Sequence, residues 1–286
     1  MSRDLASAPD CVRVNGIPDR EVSPFDRALH FGDGLFETLA CRKGRVRFLS
    51  LHLERLQLGC ARLQIEAGDL EDVRAEVRAL AAEADSAIIK VLLTRGTAVA
   101  RGYGVTGREK ATRITFRYAW PQETPTLARD GIRARTASLR LGENPALAGL
   151  KHCNRLEQVL ARREWTDPAI AEALLFSRSG RLVSGTMSNV FIVNGSIVRT
   201  PRIDLCGVAG VMRRVVLREA ARAGIDVRED VLTADDLNRA DEIFVTNARI
   251  GIWPVRVLDD RELRPGPVTR QLQERLAPLL EEPVDA

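Results

Sequence analysis

The chain has 286 residues, of which 45% are hydrophobic and 29% charged, as expected for a globular protein with a substantial core. The net charge of +4 is small and the basic residues are scattered, which argues against a dedicated nucleic-acid surface. Five widely spaced cysteines and three scattered histidines predict neither a disulfide framework nor a metal site. No apolar run approaches membrane-spanning length, so a cytoplasmic location is expected.

Hydrophobic periodicity divides the chain into two halves that both mix helices and strands. In the first half, β-branched and apolar runs predict strands at residues 12–14, 45–49, 87–93 and 112–118. Helices are predicted where Leu53, Leu56, Cys60 and Leu63 recur at helical spacing, and over residues 70–83. A glycine-rich loop, residues 94–107, separates the last two strands and contains Arg101-Gly102-Tyr103-Gly104.

Pro121 and Pro125 interrupt this periodicity and predict a domain boundary. We expect a small N-terminal α/β domain over residues 1–120, a linker over 121–128 and a large C-terminal domain over 129–286. The second half has predicted strands at residues 132–136, 173–176, 190–193 and 242–246, and predicted helices at 154–165, from near 210, and at 268–279.

Lysine is rare in this chain, which makes one of its lysines worth considering as a chemical group. Only four of the 43 basic residues are lysines, and Lys151 stands in the segment Leu-Ala-Gly-Leu-Lys-His-Cys-Asn-Arg-Leu-Glu-Gln. A desolvated lysine amine loses its proton readily and can form a Schiff base, whereas a guanidinium stays charged. On spacing alone, a solvated surface lysine is the alternative interpretation.

Three other segments have the chemistry to bind an anion. Gly207 and Gly210 precede a long predicted helix, whose first N–H groups favour phosphate. Arg55 lies off the apolar stripe of its helix, and Thr246-Asn247-Ala248 ends an apolar strand with hydrogen-bonding groups. Each also has an ordinary interpretation as a turn, a solvated arginine or a strand exit. Together with Lys151, they would suit a phosphorylated aldehyde cofactor.

The following segments carry a resemblance to a known family: Asp26-Arg27-Ala28-Leu29-His30-Phe31-Gly32-Asp33-Gly34-Leu35-Phe36-Glu37-Thr38, His52-Leu53-Glu54-Arg55-Leu56, Arg101-Gly102-Tyr103, Lys151-His152-Cys153-Asn154-Arg155-Leu156-Glu157-Gln158, Gly210-Val211-Met212-Arg213 and Asn247-Ala248. They resemble the class IV (fold type IV) pyridoxal-phosphate enzymes, and most closely the 4-amino-4-deoxychorismate lyases among them. The resemblance covers nearly the whole chain. The phosphate-site segments are shared with branched-chain and D-amino acid aminotransferases, whereas the Lys151 and Arg101 segments look particular to the lyases.

The resemblance implies an α/β (α+β) fold of two domains, the larger with a barrel-like β core, and a homodimer that uses pyridoxal 5′-phosphate. It implies that Lys151 binds the cofactor aldehyde, and that Thr38 stands beside the reacting carbon. Arg101 and Tyr103 would lie near substrate carboxylates. The remaining implied cofactor-binding residues are Arg55, Ser184, Gly210, Val211, Met212 and Asn247.

The implied activity is the elimination of pyruvate from 4-amino-4-deoxychorismate, which gives p-aminobenzoate for folate biosynthesis. One position departs from the family, since Ser184 stands where a glutamate is usual. A hydroxyl cannot hold a proton on the pyridine nitrogen as firmly as a carboxylate, because it lacks the opposite charge. A weaker electron sink should harm transamination more than elimination. A class IV aminotransferase of the branched-chain or D-amino acid type, or a weakly active cofactor-binding relative, remain as alternatives.

Overall fold

The computed structural model of the chain describes residues 8–18, 20–121 and 126–281. These residues form two compact units. The first contains the described residues of Met1–Gln122, Leu150–Asn154 and Leu279–Ala286, and the second those of Glu123–Gly149 and Arg155–Pro278. Across the described ranges, none of the helices is both long enough and apolar enough to cross a bilayer.

The first unit is built on one antiparallel sheet of six strands in the order β2-β1-β6-β5-β3-β4. Its strands are β1 (Cys11–Val14), β2 (Ile17–Pro18), β3 (Gly34–Arg42), β4 (Arg45–Val46), β5 (Ser86–Thr94) and β6 (Thr112–Ala119). Its helices are α1 (Arg27–Phe31), α2 (Leu49–Leu63) and α3 (Glu71–Ala82). Leu39 of β3, Leu56 of α2 and Leu80 of α3 are buried, so the two longer helices cover apolar surface of the sheet.

The second unit contains a nine-stranded sheet with helices around it. Its strands are β7 (Ile132–Leu141), β8 (Ile170–Ser177), β9 (Leu182–Gly185), β10 (Asn189–Asn194), β11 (Ile197–Pro201), β12 (Val227–Asp230), β13 (Glu242–Asn247), β14 (Gly251–Leu258) and β15 (Arg261–Glu262). Its helices are α4 (Thr126–Asp130), α5 (Leu156–Arg162), α6 (Val211–Arg222), α7 (Ala234–Asn238) and α8 (Pro267–Glu281), the last of which begins in this unit.

This larger sheet curls on itself. Its path runs β12-β11-β10-β13-β14-β7-β8-β9, with β15 paired to β14, and β9 also packs against β10 and β11 near the opposite end of that path. The apolar interior includes Leu174, Val190, Ile243 and Trp253, which are all buried in one cluster. The barrel-like β core and the mixed α/β class expected from the resemblance are confirmed.

Two predicted elements differ from the structure for local reasons. The strand predicted at residues 45–49 ends at Val46, because Phe48 has a left-handed backbone (φ 54°) and α2 begins at Leu49. The helix predicted from residue 154 begins later, at Leu156, because residues 151–153 pair with β3. Of the expected linker at residues 121–128, positions 122–125 lie outside the described residues, and α4 begins at Thr126.

Candidate active site

Lys151 lies in the first unit, on a short segment that pairs with the edge of β3. The Phe36 N–H donates to the Lys151 carbonyl (2.9 Å), and the Cys153 N–H donates to the Gly34 carbonyl (2.9 Å). This pairing is antiparallel and places His152 opposite Leu35, so Lys151 projects on the same face as Phe36. Its Nζ lies 4.2 Å from the centroid of the Phe36 ring. The amine is therefore held by backbone pairing and packed against an aromatic ring.

Thr38 lies on this same face of β3. Alternate residues of a strand point to opposite faces, so Thr38 shares a face with Phe36, whereas Glu37 projects toward α2. Thr38 is half-buried. The predicted catalytic residues Lys151 and Thr38 thus lie on the same face of β3, with Lys151 opposite Phe36 and Thr38 two residues further along the strand.

Arg55 forms part of a buried charge cluster on the other face of β3. Its Nε donates to Oε1 of Glu37 (2.7 Å), and its second terminal nitrogen, Nη2, donates to Oε2 of the same carboxylate. His52, one turn earlier on α2, meets Glu37 Oε2 through Nδ1 (2.6 Å). Glu37 is only 2% exposed. Because a guanidinium is a planar fork, this two-point contact fixes the direction in which its third nitrogen, Nη1, points.

Burial opposes the charge on Glu37, but Arg55 and His52 outweigh it and lower the pKa of Glu37 to about 2. Burial also lowers the pKa of His52, despite its hydrogen bond to Glu37. At neutral pH, Glu37 is therefore charged and His52 is neutral. The His52 proton must then be on Nδ1, which faces the carboxylate. Its other ring nitrogen, Nε2, is buried without a hydrogen-bond partner among the described residues.

The two residues expected near substrate carboxylates lie on an exposed loop of the first unit. Arg101 and Tyr103 follow β5, and Tyr103 is 84% exposed. The Phe31 ring of α1 lies 5.2 Å from the Tyr103 ring, between centroids. Nearby, Asn154 Nδ2 donates to the Gly32 carbonyl (3.3 Å), which ties the residues after Lys151 to the end of α1.

In the second unit, the start of α6 has the features of an anion site. Gly210 precedes the helix with an extended backbone and makes no side-chain cap, so the first N–H groups of α6 have no intrahelical partner. A larger residue at this position would displace the side chain of Asn189, because a Cβ there would lie 2.0 Å from Oδ1 of Asn189. The side chains of Val211 and Met212 are buried, and these residues would therefore bind an anion through their backbone N–H groups.

Ser184 lies buried on β9, opposite Leu175 of β8. The turn that follows it wraps around a buried carboxylate, that of Glu172. Glu172 accepts hydrogen bonds from Thr186 N (2.9 Å), Thr186 Oγ1 (2.5 Å) and Ser188 Oγ (2.7 Å). This unit thus has a glutamate in contact with the turn, but these bonds hold the turn itself.

Asn247 ends β13, and its side chain braces neighbouring backbone. Its Oδ1 accepts from the N–H groups of Arg249 and Ile250 (3.0 Å each), and its Nδ2 donates to the Met187 carbonyl (3.2 Å). Asn247 therefore supports the same turn as Glu172. A cofactor-binding role for Asn247 stays a prediction, and these contacts indicate that it would act by holding backbone in place.

The sequence did not reveal the partners that hold the predicted site residues. Glu37, His52 and Glu172 were not recognised as functional candidates. The spacing of His52 and Arg55 by three residues, on one face of a predicted helix, was a usable signal for two of the three groups in the charge cluster. No comparable local signal pointed to Glu172.

Each unit, taken by itself, has groups whose chemistry fits part of a phosphorylated aldehyde. The first unit has an amine packed against an aromatic ring, the kind of group that binds an aldehyde, and an oriented guanidinium, the kind that binds a phosphate. The second unit has a helix start without a side-chain cap, which is also a phosphate-binding type of group.

Comparison with known proteins agrees with this chemistry. Residues 34–258 match the model of the family described as amino-transferase class IV. The chain is 34% identical to aminodeoxychorismate lyase of Vibrio harveyi over 92% of this chain and 98% of that one. It is also 34% identical to a putative branched-chain-amino-acid aminotransferase of Methanocaldococcus jannaschii, over 90% of each chain. The crystal structure of 4-amino-4-deoxychorismate lyase from Pseudomonas aeruginosa superposes with a TM-score of 0.91 at 41% identity, covering 94% of this chain and 99% of that one.

The chain therefore belongs to the class IV aminotransferase family, whose members are pyridoxal-phosphate-dependent enzymes of fold type IV. Within that family its similar relatives include both lyases and aminotransferases. The chain is an enzyme of this class, and its resemblance to the lyases is confirmed.

Proposed function

We propose that this protein is a 4-amino-4-deoxychorismate lyase, which uses pyridoxal 5′-phosphate to release pyruvate and leave p-aminobenzoate, a precursor of folate. The observation that carries the proposal is the pairing of the Lys151 segment with β3, which holds the amine on the face that also presents Thr38. The lyases among its relatives, at 34% and 41% identity, support the choice of reaction.

In this proposal each residue has a defined task. When bound, the cofactor withdraws electrons from the substrate carbon that bears nitrogen. The Lys151 amine accepts the proton from that carbon. Lys151, or a water positioned by Thr38, then delivers a proton to the departing enolpyruvyl group. General acid–base help of this kind is worth roughly 10²–10⁴-fold in rate. Arg55 in the first unit is the residue proposed to bind the phosphate by its side chain, and the start of α6 in the second unit is the segment proposed to bind phosphate by its N–H groups.

The direct test is to supply 4-amino-4-deoxychorismate and follow pyruvate with a coupled lactate dehydrogenase assay, while p-aminobenzoate is measured by its fluorescence. We expect the two products in equal amounts. Absence of pyruvate, with rapid amino transfer from D-alanine or L-leucine to 2-oxoglutarate, would reject the lyase in favour of an aminotransferase. That second candidate has its own support, since the archaeal aminotransferase relative is as similar in sequence as the Vibrio lyase.

The residue at position 184 offers a way to separate the two reactions. We expect Ser184→Glu to raise the rate of amino transfer from D-alanine by about tenfold or more, because a carboxylate beside the pyridine nitrogen would raise the pKa of that nitrogen. Pyruvate elimination should change much less. Both rates are measured on the same preparation, the first by the loss of cofactor absorbance in the visible range.

Ser184→Ala is the matched control, and it should leave both rates within about threefold of the wild-type rates, since it adds no charge. An equal change of the two rates in Ser184→Glu would show that position 184 does not select between the reactions.

We also propose that the chain forms a homodimer in the cytoplasm. Leu156, Val159 and Leu160 lie on one face of α5 and are 74%, 53% and 50% exposed. Contiguous exposed apolar side chains of this kind are typical of subunit contacts. We expect Leu156→Glu to halve the molecular mass measured by sedimentation equilibrium at micromolar concentration.

Leu58→Glu provides the control for this experiment, because it places the same charge on a single exposed leucine of α2. It should leave the mass unchanged. A wild-type protein that sediments as a monomer would exclude the homodimer.

A further inference from the structure

The loop that carries Arg101 and Tyr103 is rich in glycine. Within it, Glu109 accepts hydrogen bonds from the N–H groups of Thr106 and Gly107, which lie beyond residues 101–104. Gly102 (φ 99°) and Gly107 (φ 73°) both have left-handed backbones, and a third glycine, Gly104, stands between them. Residues 100–108 are all exposed. Glycines have more conformations to lose than other residues, so an exposed loop with three of them needs outside contacts to stay in one conformation.

One buried arginine supplies such contacts. The Arg27 Nη1 donates to the carbonyls of Gly102 (3.3 Å) and Gly104 (3.1 Å), and its Nη2 donates to the carbonyl of Tyr103 (3.0 Å). Arg27 is 3% exposed. Three consecutive carbonyls of the loop therefore converge on one guanidinium. A lysine could not reproduce this arrangement, because its ammonium lacks the planar fork.

Arg27 is itself fixed from the other side. Its Nε donates to Oδ2 of Asp33 (2.8 Å), which also accepts from Nε of Arg95 (2.8 Å). Arg95 in turn donates to the carbonyls of Leu63 (2.7 Å) and Gln64 (2.6 Å) at the end of α2. These contacts, through Asp33 and Arg95, hold the Arg27 guanidinium against the end of α2, and none of them involves the loop.

An aromatic contact adds to the same attachment. The Arg27 guanidinium lies 5.0 Å from the centroid of the Phe31 ring, and that ring packs against Tyr103. Phe31 therefore contacts both the guanidinium and a side chain of the loop.

We propose that Arg27 is a positioning residue that holds loop 101–104 in the conformation in which Arg101 and Tyr103 bind the carboxylates of the substrate. The substrate half of this inference rests on the proposed function. Arg27 touches neither substrate nor cofactor in this account, and acts only through the three backbone carbonyls. Its loss should weaken substrate binding and leave the cofactor bound.

Limited digestion of the whole protein with trypsin tests whether Arg27 holds the loop. The Arg101–Gly102 bond lies inside loop 101–104, whereas the Arg108–Glu109 bond lies outside it. We expect Arg27→Lys to speed cleavage after Arg101 by about tenfold or more, as read by peptide mass spectrometry, because charge-assisted hydrogen bonds to the loop are lost. Cleavage after Arg108 should change by less than about twofold.

The same variants are then assayed for pyruvate release and for the visible absorption of bound cofactor. In Arg27→Lys, KM should rise about tenfold, while kcat and the cofactor spectrum stay near the wild-type values. Arg74→Lys is the matched control, because Arg74 makes an exposed ion pair with Glu71 and contacts no loop carbonyl. It should change neither KM nor cleavage.

Should Arg27→Lys fold poorly, Phe31→Leu provides a milder variant with Arg27 intact, and an increase of about threefold in cleavage after Arg101 is expected. Unchanged cleavage in a folded Arg27→Lys variant would overturn the proposal, as would faster cleavage with an unchanged KM. Digestion does not depend on activity. A wild-type protein that releases no pyruvate would therefore reject the proposed function. The digestion result alone would then decide whether Arg27 holds the loop.

Discussion

Replacing Lys151 by alanine is expected to abolish pyruvate release, with a fall of at least about 10⁴-fold, together with the visible absorption of the bound cofactor. The physical reason is that position 151 supplies both the amine that binds the aldehyde and the base that moves the proton. The variant should still fold, because the bonds that hold this segment to β3 use the backbone carbonyl of Lys151 and not its side chain. Far-ultraviolet circular dichroism checks that the variant folds, the pyruvate assay measures the loss of activity, and a spectrophotometric titration with pyridoxal 5′-phosphate measures the loss of the absorption band.

Lys90→Ala is the matched control, because the Lys90 amine lies 5.5 Å from the centroid of the same Phe36 ring. It should keep the absorption band and most of the activity. In the wild-type protein, borohydride reduction followed by peptide mapping should label Lys151. A label on Lys90, or an active Lys151→Ala variant, would contradict the assignment.

Replacing Arg55 by alanine is expected to lower the free energy of unfolding by about 3–5 kcal/mol near pH 8, because it leaves the buried Glu37 carboxylate without its main counter-charge. Urea denaturation measures this loss. Affinity for pyridoxal 5′-phosphate should fall about 10–100-fold, whereas affinity for pyridoxal, which has no phosphate, should stay near the wild-type value. Equal losses for the two ligands would show that Arg55 does not bind the phosphate.

The stability loss in Arg55→Ala should depend on pH in a defined direction. Arg55 is one of the groups that lower the pKa of His52, and Glu37 raises it, so removal of Arg55 should raise the pKa of His52. A protonated His52 could then replace the missing cation. In the wild-type protein, the lowered pKa of His52 costs stability as the pH falls below the unfolded value of 6.5, and a higher folded pKa in the variant reduces that cost.

The deficit relative to the wild-type protein should therefore be smaller at pH 5.5 than at pH 8. Adding His52→Asn to Arg55→Ala should remove this pH dependence, and a deficit that is independent of pH in Arg55→Ala would contradict the explanation. Arg74→Ala is the control, because its exposed pair with Glu71 contributes at most about 1 kcal/mol.

The sequence contains signals for the proposed reactive residues but few for the residues that contact them. The prediction of Lys151 rests on the scarcity of lysine and on the segment around it, and that of the helix start at Gly210 on its glycines. Both signals are local. The Glu37 contact of Arg55 depends on how β3 and α2 are aligned, and that alignment follows from packing of apolar side chains far apart in the sequence.

The strand β3 was not predicted, although it supports Lys151. Its residues mix apolar, acidic and small side chains, because one face packs on α2 and also buries Glu37, while the other face carries Phe36 and Thr38. A strand with a buried charge on its packed face does not show simple alternation. The hydrogen bonds from Arg27 to the loop could not be predicted from the sequence either, since their acceptors are backbone carbonyls, which every residue has.

The attachment of residues 151–153 to β3 also sets an order of events during synthesis. Leu35 and Phe36 leave the ribosome long before Lys151 and His152, and at about 5–20 residues per second the delay is on the order of ten seconds. In that interval the beginning of β3 is a strand edge without this neighbour, and it can pair with another nascent chain. Yield from cells should therefore respond to translation speed between residues 36 and 151, a property that a purified, finished protein would not reveal.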